Sequence, residues 1–154
     1  MGDKLHRRLR QTRPLPADDE LGLNLMLAAA WLERQLDRAL AEQGLTLPQY
    51  NVLRILRGAG EGGHARCDIA ARMIDAAPDV TRILDRLEAA GFVRRGTGRA
   101  DRRASVAWIT PKGERVLKAA EPALKAVAAE LARRVPAGKV AELSRLCEAL
   151  YDEA

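Results

Sequence analysis

Residues 68–113 read DIAARMIDAAPDVTRILDRLEAAGFVRRGTGRADRRASVAWITPKG, and this stretch decides the fold. In its first half, apolar side chains recur at steps of three and four. This pattern predicts a short helix at about 68–73, a turn at 75–77 and a longer helix ending near residue 90. The inward side chains are expected at Ile69, Ala70, Met73, Val80, Ile83, Leu84 and Leu87. Two helices joined by so short a turn predict a helix-turn-helix.

The period changes after Gly91, where the pattern becomes that of strands. Residues 92–95 and 104–109 predict two short strands, and the Gly- and Arg-rich segment between them predicts a basic hairpin tip. Thr110 and Pro111 then suit the N-cap and the first turn of a long helix. A hairpin that directly follows a helix-turn-helix is typical of a winged helix.

Helical periodicity flanks this stretch on both sides. The predicted helices run from 18 to about 43, from 46 to the glycines at 58–63, from 111 to about 135, and then to about 152. Gly44 suits a left-handed cap, Thr46-Leu47-Pro48-Gln49 has the form of a capping box, and Pro122 predicts a kink or a break. The expected fold class is mostly α (α+β), with a winged helix-turn-helix core between N- and C-terminal helices.

The charge balance points to an anionic partner. The 154 residues include 26 Lys and Arg against 21 Asp and Glu, which gives a net charge of +5. Nucleic acid, a membrane surface or an acidic protein would suit such a balance. No apolar run approaches the ~20 residues of a membrane span, and nothing resembles a signal peptide. We therefore expect a cytoplasmic protein without membrane contact.

Arginine lies both on the second helix of the helix-turn-helix and on the hairpin. A helix of this kind enters the major groove, which is ~12 Å wide, and a basic hairpin beyond it reaches the neighbouring minor groove. Either feature alone is typical of a solvated surface, but the two together predict DNA binding. The residues expected at the DNA are Pro78, Asp79, Thr81, Arg82, Asp85, Arg86, Arg99, Asp101, Arg102 and Arg103.

The same strings resemble the DNA-binding core of the MarR family of winged helix-turn-helix transcriptional regulators. The resemblance is carried by DIAARMIDAAPDVTRILDRLEAAGFVRR, DRRAS and ITPKG, and it extends over roughly residues 20–152. Asp101-Arg102-Arg103 matches the wing motif of the family. The resemblance implies a homodimer whose interface is formed by the first helix and the last two. It also implies that the helix over residues 80–90 reads the major groove, that Arg102 or Arg103 enters the minor groove, and that Asp101 orients an Arg.

The predicted recognition helix opens with Pro78 and Asp79, where the family often has Ser or Thr. A carboxylate is repelled by phosphate. Asp79 therefore either favours the helix start through the dipole or accepts a hydrogen bond from a cytosine amine. We favour the helix-start role.

The resemblance also implies a small-molecule effector, often an aromatic acid, bound between the dimer helices and the helix-turn-helix. The side chains that would line such a pocket are Asn24, Met26, Trp31, Tyr50 and Met73. Ordinary packing in a core or an interface is the alternative for each of them.

Catalysis has little support in the sequence. His64 and Cys67 have an i, i+3 spacing, but two ligands do not complete a zinc site. Cys147 falls on an apolar stripe and is expected in the core, whereas Cys67 lies near a helix start that would favour a thiolate. We expect no enzymatic activity, no metal and no cofactor.

Three parts make up the predicted organisation. Residues 1–17 form a basic, flexible arm that is either a solvated tail or a DNA contact. Residues 18–45 and 111–154 form a helical dimerisation region, and residues 46–110 form the winged helix-turn-helix. The expected function is sequence-specific binding of a pseudopalindromic duplex by a regulator, a repressor released by a small molecule. The alternative is a winged-helix protein interaction module without DNA binding.

Overall fold

The computed structural model describes residues 3–10, 13, 15–74, 79–97 and 105–151. The chain divides into two compact units, Met1–Gln35 and Leu36–Ala154. Helices make up most of the described residues, and a three-stranded antiparallel sheet accompanies them. The fold class is therefore the mostly α winged helix that the sequence predicts.

The first unit contains α1, Asp3–Leu9, and most of α2, Ala17–Ala41. α1 was not expected, since residues 1–17 were predicted to be a flexible arm; instead residues 3–9 are helical and Leu5 is only 3% exposed. Leu5 and Leu9 fall one turn apart, and basic side chains occupy the last turn, where the helix dipole favours them. A helix of this length is too short to be stable alone, so its sequence signal is weak.

α2 ends in a Schellman cap at Gly44, as predicted. Gly44 has a φ of +66°. The Leu45 amide donates to the Leu40 carbonyl at 3.3 Å, and the Gly44 amide donates to the Ala41 carbonyl at 3.0 Å. Leu40 and Leu45 are both buried, so the cap directs the chain into the core of the second unit.

α3, Leu47–Ala59, begins with the predicted capping box. Thr46 Oγ1 accepts from the Gln49 amide at 3.4 Å, and Gln49 Oε1 accepts from the Thr46 amide at 2.9 Å. The helix contributes Val52, Leu53 and Leu56 to the core and ends in the glycine-rich run, where Gly60–Gly62 form a 3-10 turn.

A small sheet and two helices complete the winged helix-turn-helix. In chain order these elements are β1 (His64–Ala65), α4 (Arg66–Ala70), α5 (Val80–Ala89), β2 (Val93–Thr97) and β3 (Ser105–Ile109). The strand order is β1-β3-β2, and both pairings are antiparallel. β1 was not predicted, because a strand of two residues carries no readable alternation.

The helix-turn-helix differs from its prediction in two details. α4 ends at Ala70, and Ala70 is exposed rather than inward, whereas Ile69 is fully buried. α5 begins at Val80 with Asp79 as its N-cap. The stripe predicted for α5 is confirmed, with Val80, Leu84 and Leu87 buried and Ile83 packed against the core.

Two long helices follow the sheet. α6, Pro111–Arg134, begins at the predicted N-cap Thr110 and continues through Pro122, so the chain does not break there. α7, Val140–Tyr151, buries none of its side chains, and its apolar stripe is 44–60% exposed at Val140, Leu143, Leu146 and Leu150. Cys147 lies on this helix and is partly exposed, so its predicted place in the core is wrong.

The end of α5 and the start of α6 are joined by side chains of the ITPKG string. Thr110 Oγ1 donates to the Gly91 carbonyl at 2.7 Å and accepts from the Gly113 amide at 3.1 Å. Lys112 Nζ donates to the Ala90 carbonyl at 2.8 Å. The hydroxyl that caps α6 therefore also holds the chain just beyond α5.

Candidate nucleic-acid interface

α5 presents a polar face to solvent. Thr81, Arg82, Asp85 and Arg86 are all exposed. The helix begins at Asp79, whose Oδ1 accepts from the Arg82 amide at 3.0 Å. This N-cap geometry supports the helix-start role favoured for Asp79.

One side of α5 faces the first turn of α3. Arg82 and Arg86 border a cavity of about 290 Å³ whose opposite wall includes Thr46, Pro48 and Gln49. The N-terminal end of a helix carries the positive end of its dipole. Two guanidinium groups and a helix N-terminus therefore share one surface with the carboxylate of Asp79, and the two arginines are the groups there that suit an anion such as a DNA phosphate.

The other side of α5 holds Arg95 of β2 between two carboxylates. Arg95 Nη2 lies 2.7 Å from Asp85 Oδ1 and 2.5 Å from Glu88 Oε2, and Arg95 Nε donates to Glu88 Oε2 at 2.8 Å. The Arg95 backbone amide donates to Glu88 Oε1 at 3.0 Å. The hydrogen bonds from the Arg95 side chain hold the pKa of Glu88 below its usual value, and Glu88 in turn raises the pKa of Arg95.

A second cavity, of about 260 Å³, lies between α5 and the sheet. It is lined by Arg66, Thr81, Leu84, Arg95, Ser105 and Ala107. The polar face of α5 is thus flanked on both sides: Arg82 and Arg86 lie toward α3, and Thr81 lies toward the sheet.

Arg94 lies on the opposite face of the hairpin from Arg95. It pairs across the strands with Trp108, and its guanidinium carbon lies 4.3 Å from the centre of the Trp108 ring. Trp108 Nε1 donates to the Glu61 carbonyl at 3.0 Å. Arg94 is therefore an ordered surface cation at the base of the wing.

Sequence reasoning did not single out Arg94 or Arg95. The alternation of a strand was enough to place them on opposite faces of β2. Their partners were not readable, because Glu88 and Trp108 are reached only after the chain has turned back on itself.

The other predicted DNA contacts, Pro78, Arg99, Asp101, Arg102 and Arg103, lie outside the described residues.

The residues of the predicted effector pocket fall in both units. Tyr50 and Met73 pack against the core of the second unit. Asn24, Met26 and Trp31 lie on α2 in the first unit, where Met26 is 70% exposed. The pocket that these five residues would line stays a prediction.

The described residues offer few groups for metal binding or catalysis. Among the described residues, no three His, Cys, Asp or Glu side chains are grouped to hold a metal ion. His64 lies in β1 and Cys67 is exposed on α4. The described helices are all too short or too polar to cross a membrane.

The helix-turn-helix, the sheet behind it and the β2–β3 hairpin define a winged helix-turn-helix protein. Comparison with known proteins narrows this class. The model of the MarR family matches residues 45–105. The HTH-type transcriptional repressor Rv2887 of Mycobacterium tuberculosis is 30% identical over 136 residues, which cover 88% of this chain and 96% of the repressor. The chain therefore belongs to the MarR family.

Solved structures agree with this fold. BpsR of Bordetella bronchiseptica, whose DNA binding is regulated by 6-hydroxynicotinic acid, matches with a TM-score of 0.79 and 21% identity, over 92% of this chain and all of that one. A mutant MarR of Escherichia coli complexed with operator DNA matches with a TM-score of 0.76 and 24% identity, over 86% of this chain and 94% of that one.

Proposed function

We propose that the chain is a sequence-specific regulator of transcription that binds double-stranded DNA. α5 lies in the major groove and the β2–β3 wing reaches the neighbouring minor groove. The observation that carries this function is the exposed pair Arg82 and Arg86 beside the N-terminal end of α3. A guanidinium fork binds the edge of guanine through two hydrogen bonds, and it also binds phosphate.

The relatives support a role as a repressor, and the exposed apolar stripe of α7 supports assembly into a homodimer. Rv2887 is named a repressor, and the BpsR structure concerns regulation of DNA binding by a small aromatic acid. These relatives support a cytoplasmic repressor, without enzymatic activity, that an aromatic acid releases. The apolar stripe of α7 supports a homodimer, and a two-fold dimer binds a pseudopalindromic site.

The test begins by selecting a duplex from a random-sequence pool with the wild-type protein, followed by gel-shift measurements on that duplex. Arg82→Ala and Arg86→Ala each remove one candidate base contact, and at least one of them is expected to cost about 1–3 kcal/mol and to relax specificity at one position per half-site. Arg115→Ala, which removes an exposed arginine from α6, is the matched control and is expected to bind nearly as wild type.

Two outcomes would contradict the proposal. In one, no duplex is enriched and heparin retention hardly depends on salt, which favours a protein interaction module instead. In the other, a duplex is enriched but both α5 variants bind it as tightly as the Arg115→Ala control. α5 would then not be the reading element.

A further inference from the structure

We infer that Arg95 is a positioning residue that locks the base of the wing to α5 through Glu88 and Asp85, and that it does not itself contact DNA phosphate. The inference rests on the proposed function and names the part that one arginine plays in it. Its basis is the geometry of the contacts and the balance of charge around this guanidinium.

The contacts fix the backbone of β2 as well as a side chain. Glu88 accepts the Arg95 backbone amide with Oε1 and the Arg95 guanidinium with Oε2. Asp85, one turn earlier on α5, lies against the same Nη2. An ion pair with the Arg95 side chain alone would not fix the backbone of β2. Glu88 binds both the backbone amide and the guanidinium of Arg95, so it fixes both.

The local charge argues against a phosphate contact. Asp85 and Glu88 place two negative charges on one positive guanidinium, so these three groups sum formally to −1 and the two acids compete with a phosphate for Arg95, while Arg66 lines the same cavity. The Arg95 side chain is 31% exposed and points at these acids. Arg94, the next residue of β2, shows the contrast, because its guanidinium lies over a neutral ring.

The contact between Arg95 and α5 affects DNA binding because α5 and the wing must enter the major and the minor groove at the same time. If the wing base is already held at a fixed place beside α5, binding does not have to order it. Loosening the lock therefore weakens binding to a specific duplex, although no DNA contact has been removed.

The experiment compares Glu88→Ala, Arg95→Ala and the double variant in salt titrations on the duplex selected by the wild-type protein. Removing an acid from a DNA-binding surface tightens binding if only charge matters. The lock predicts the opposite sign for Glu88→Ala, a loss of about fivefold, which corresponds to ~1 kcal/mol. Glu42→Ala, which removes an exposed acid just beyond α2, is the control and is expected to show no loss.

Two further results are expected. The double variant is expected to lose less than the sum of the two single losses, since both changes remove the contact between the Glu88 carboxylate and the Arg95 guanidinium, whereas Arg95→Ala keeps the bond from the backbone amide to Glu88 and Glu88→Ala keeps the pair with Asp85. Arg95→Ala leaves the slope of log affinity against log salt unchanged. The inference is overturned if Glu88→Ala binds as tightly as Glu42→Ala, or if Arg95→Ala flattens the slope by about 0.9 per lost phosphate contact.

A measurement without DNA separates this inference from the proposed function. Amide hydrogen exchange at Arg95 is expected to be faster in Glu88→Ala than in wild type, and Glu88→Leu, which also lacks an acceptor oxygen, serves where Glu88→Ala folds poorly. Unchanged exchange in a folded variant overturns the lock whatever the DNA result. If the wild-type protein enriches no duplex, the proposed function fails, and the exchange rates still decide whether β2 is held to α5.

Discussion

Gly113 occupies a place where packing leaves no room for a side chain. A Cβ there would lie 2.3 Å from the Phe92 carbonyl oxygen and 2.8 Å from Ile109 Cγ1. Glycine inside a helix ordinarily costs about 1 kcal/mol relative to alanine. Glycine is nevertheless required here, because α6 lies so close to Phe92 and to Ile109 at the end of β3.

We expect Gly113→Ala to lower the free energy of unfolding by about 1–3 kcal/mol, since a clash with backbone cannot be relieved by a rotamer change. Gly58→Ala is the control: Gly58 lies in α3, its added Cβ meets nothing within 4 Å, and the change should raise stability by about 0.5–1 kcal/mol. Urea denaturation measures both. Stabilisation by both variants would contradict the packing at Gly113.

The lowered pKa of Glu88 predicts that the stability of the fold depends on pH. Its pKa is lowered by Arg95, so the folded state binds the proton more weakly than the unfolded state. The stability that Glu88 contributes is therefore complete at pH values above the ordinary 4.5 of a glutamate and is lost as the pH falls below it, through the folded-state pKa. Wild type should melt higher than Glu88→Gln near neutral pH, and the two should converge in acid. Thermal melts from neutral to acid pH test this, and a constant difference would contradict it.

The residues that the sequence predicted correctly are those whose partners lie within a few positions. Gly44 closes α2 onto Leu40, and Thr46 exchanges hydrogen bonds with Gln49, so each signal is complete inside one short window. Arg95 contacts Glu88 of α5 across the turn at Gly91, and the sequence next to Arg95 does not indicate this partner. Such contacts need the fold before they can be predicted.

Among the elements, α3, α5, α6 and the hairpin followed from periodicity, caps and turn residues. β1 and α4 were missed or misjudged for a physical reason. A strand of two residues is fixed by pairing with β3, and a helix of five residues ends where tertiary packing allows. α1 was missed similarly, because its stability comes from burying Leu5 rather than from its own propensity.

The wing tip gives a prediction at the scale of elements. Arg102→Ala or Arg103→Ala is expected to weaken all duplexes more evenly than the α5 variants do. It should also flatten the salt slope by roughly 0.9 per lost phosphate contact, hence about 1.8 in a dimer. Asp101→Ala should be milder, since the family resemblance gives Asp101 the role of orienting an arginine and the change removes no cation. Salt titrations on the selected duplex and on random DNA measure this. Full affinity with an unchanged slope would mean that the wing does not touch DNA.

For the whole molecule, the exposed stripe of α7 predicts self-association. Leu143, Leu146 and Leu150 are 44–60% exposed, and each leucine fully buried is worth about 1.5–3 kcal/mol. We expect a dimer at micromolar concentration and expect Leu146→Asp to dissociate it. Arg145→Asp, a change of charge beside the stripe, is the control. Light scattering that found a folded wild-type monomer would contradict this prediction.

The response to a small-molecule effector would involve the whole molecule. Small aromatic carboxylates are expected to quench the fluorescence of Trp31 and to weaken DNA binding, and DNA must then weaken their binding by the same factor. The chain has two tryptophans, so Trp31→Phe leaves Trp108 as the control fluorophore. A panel of such acids that changes neither melting temperature nor DNA affinity would leave the DNA-binding proposal standing and remove the effector.

The junction at Thr110 limits how the molecule can move. Because its hydroxyl and Lys112 hydrogen-bond the chain at the end of α5, we expect that end to move together with the start of α6. A rotation of α6 about its own axis is then expected to tilt α5. In a dimer joined through α6 and α7, we expect the distance between the two α5 helices to depend on the angle between the subunits. A ligand that changed that angle by a few degrees would put the pair out of step with the helical repeat of DNA, without approaching either reading surface.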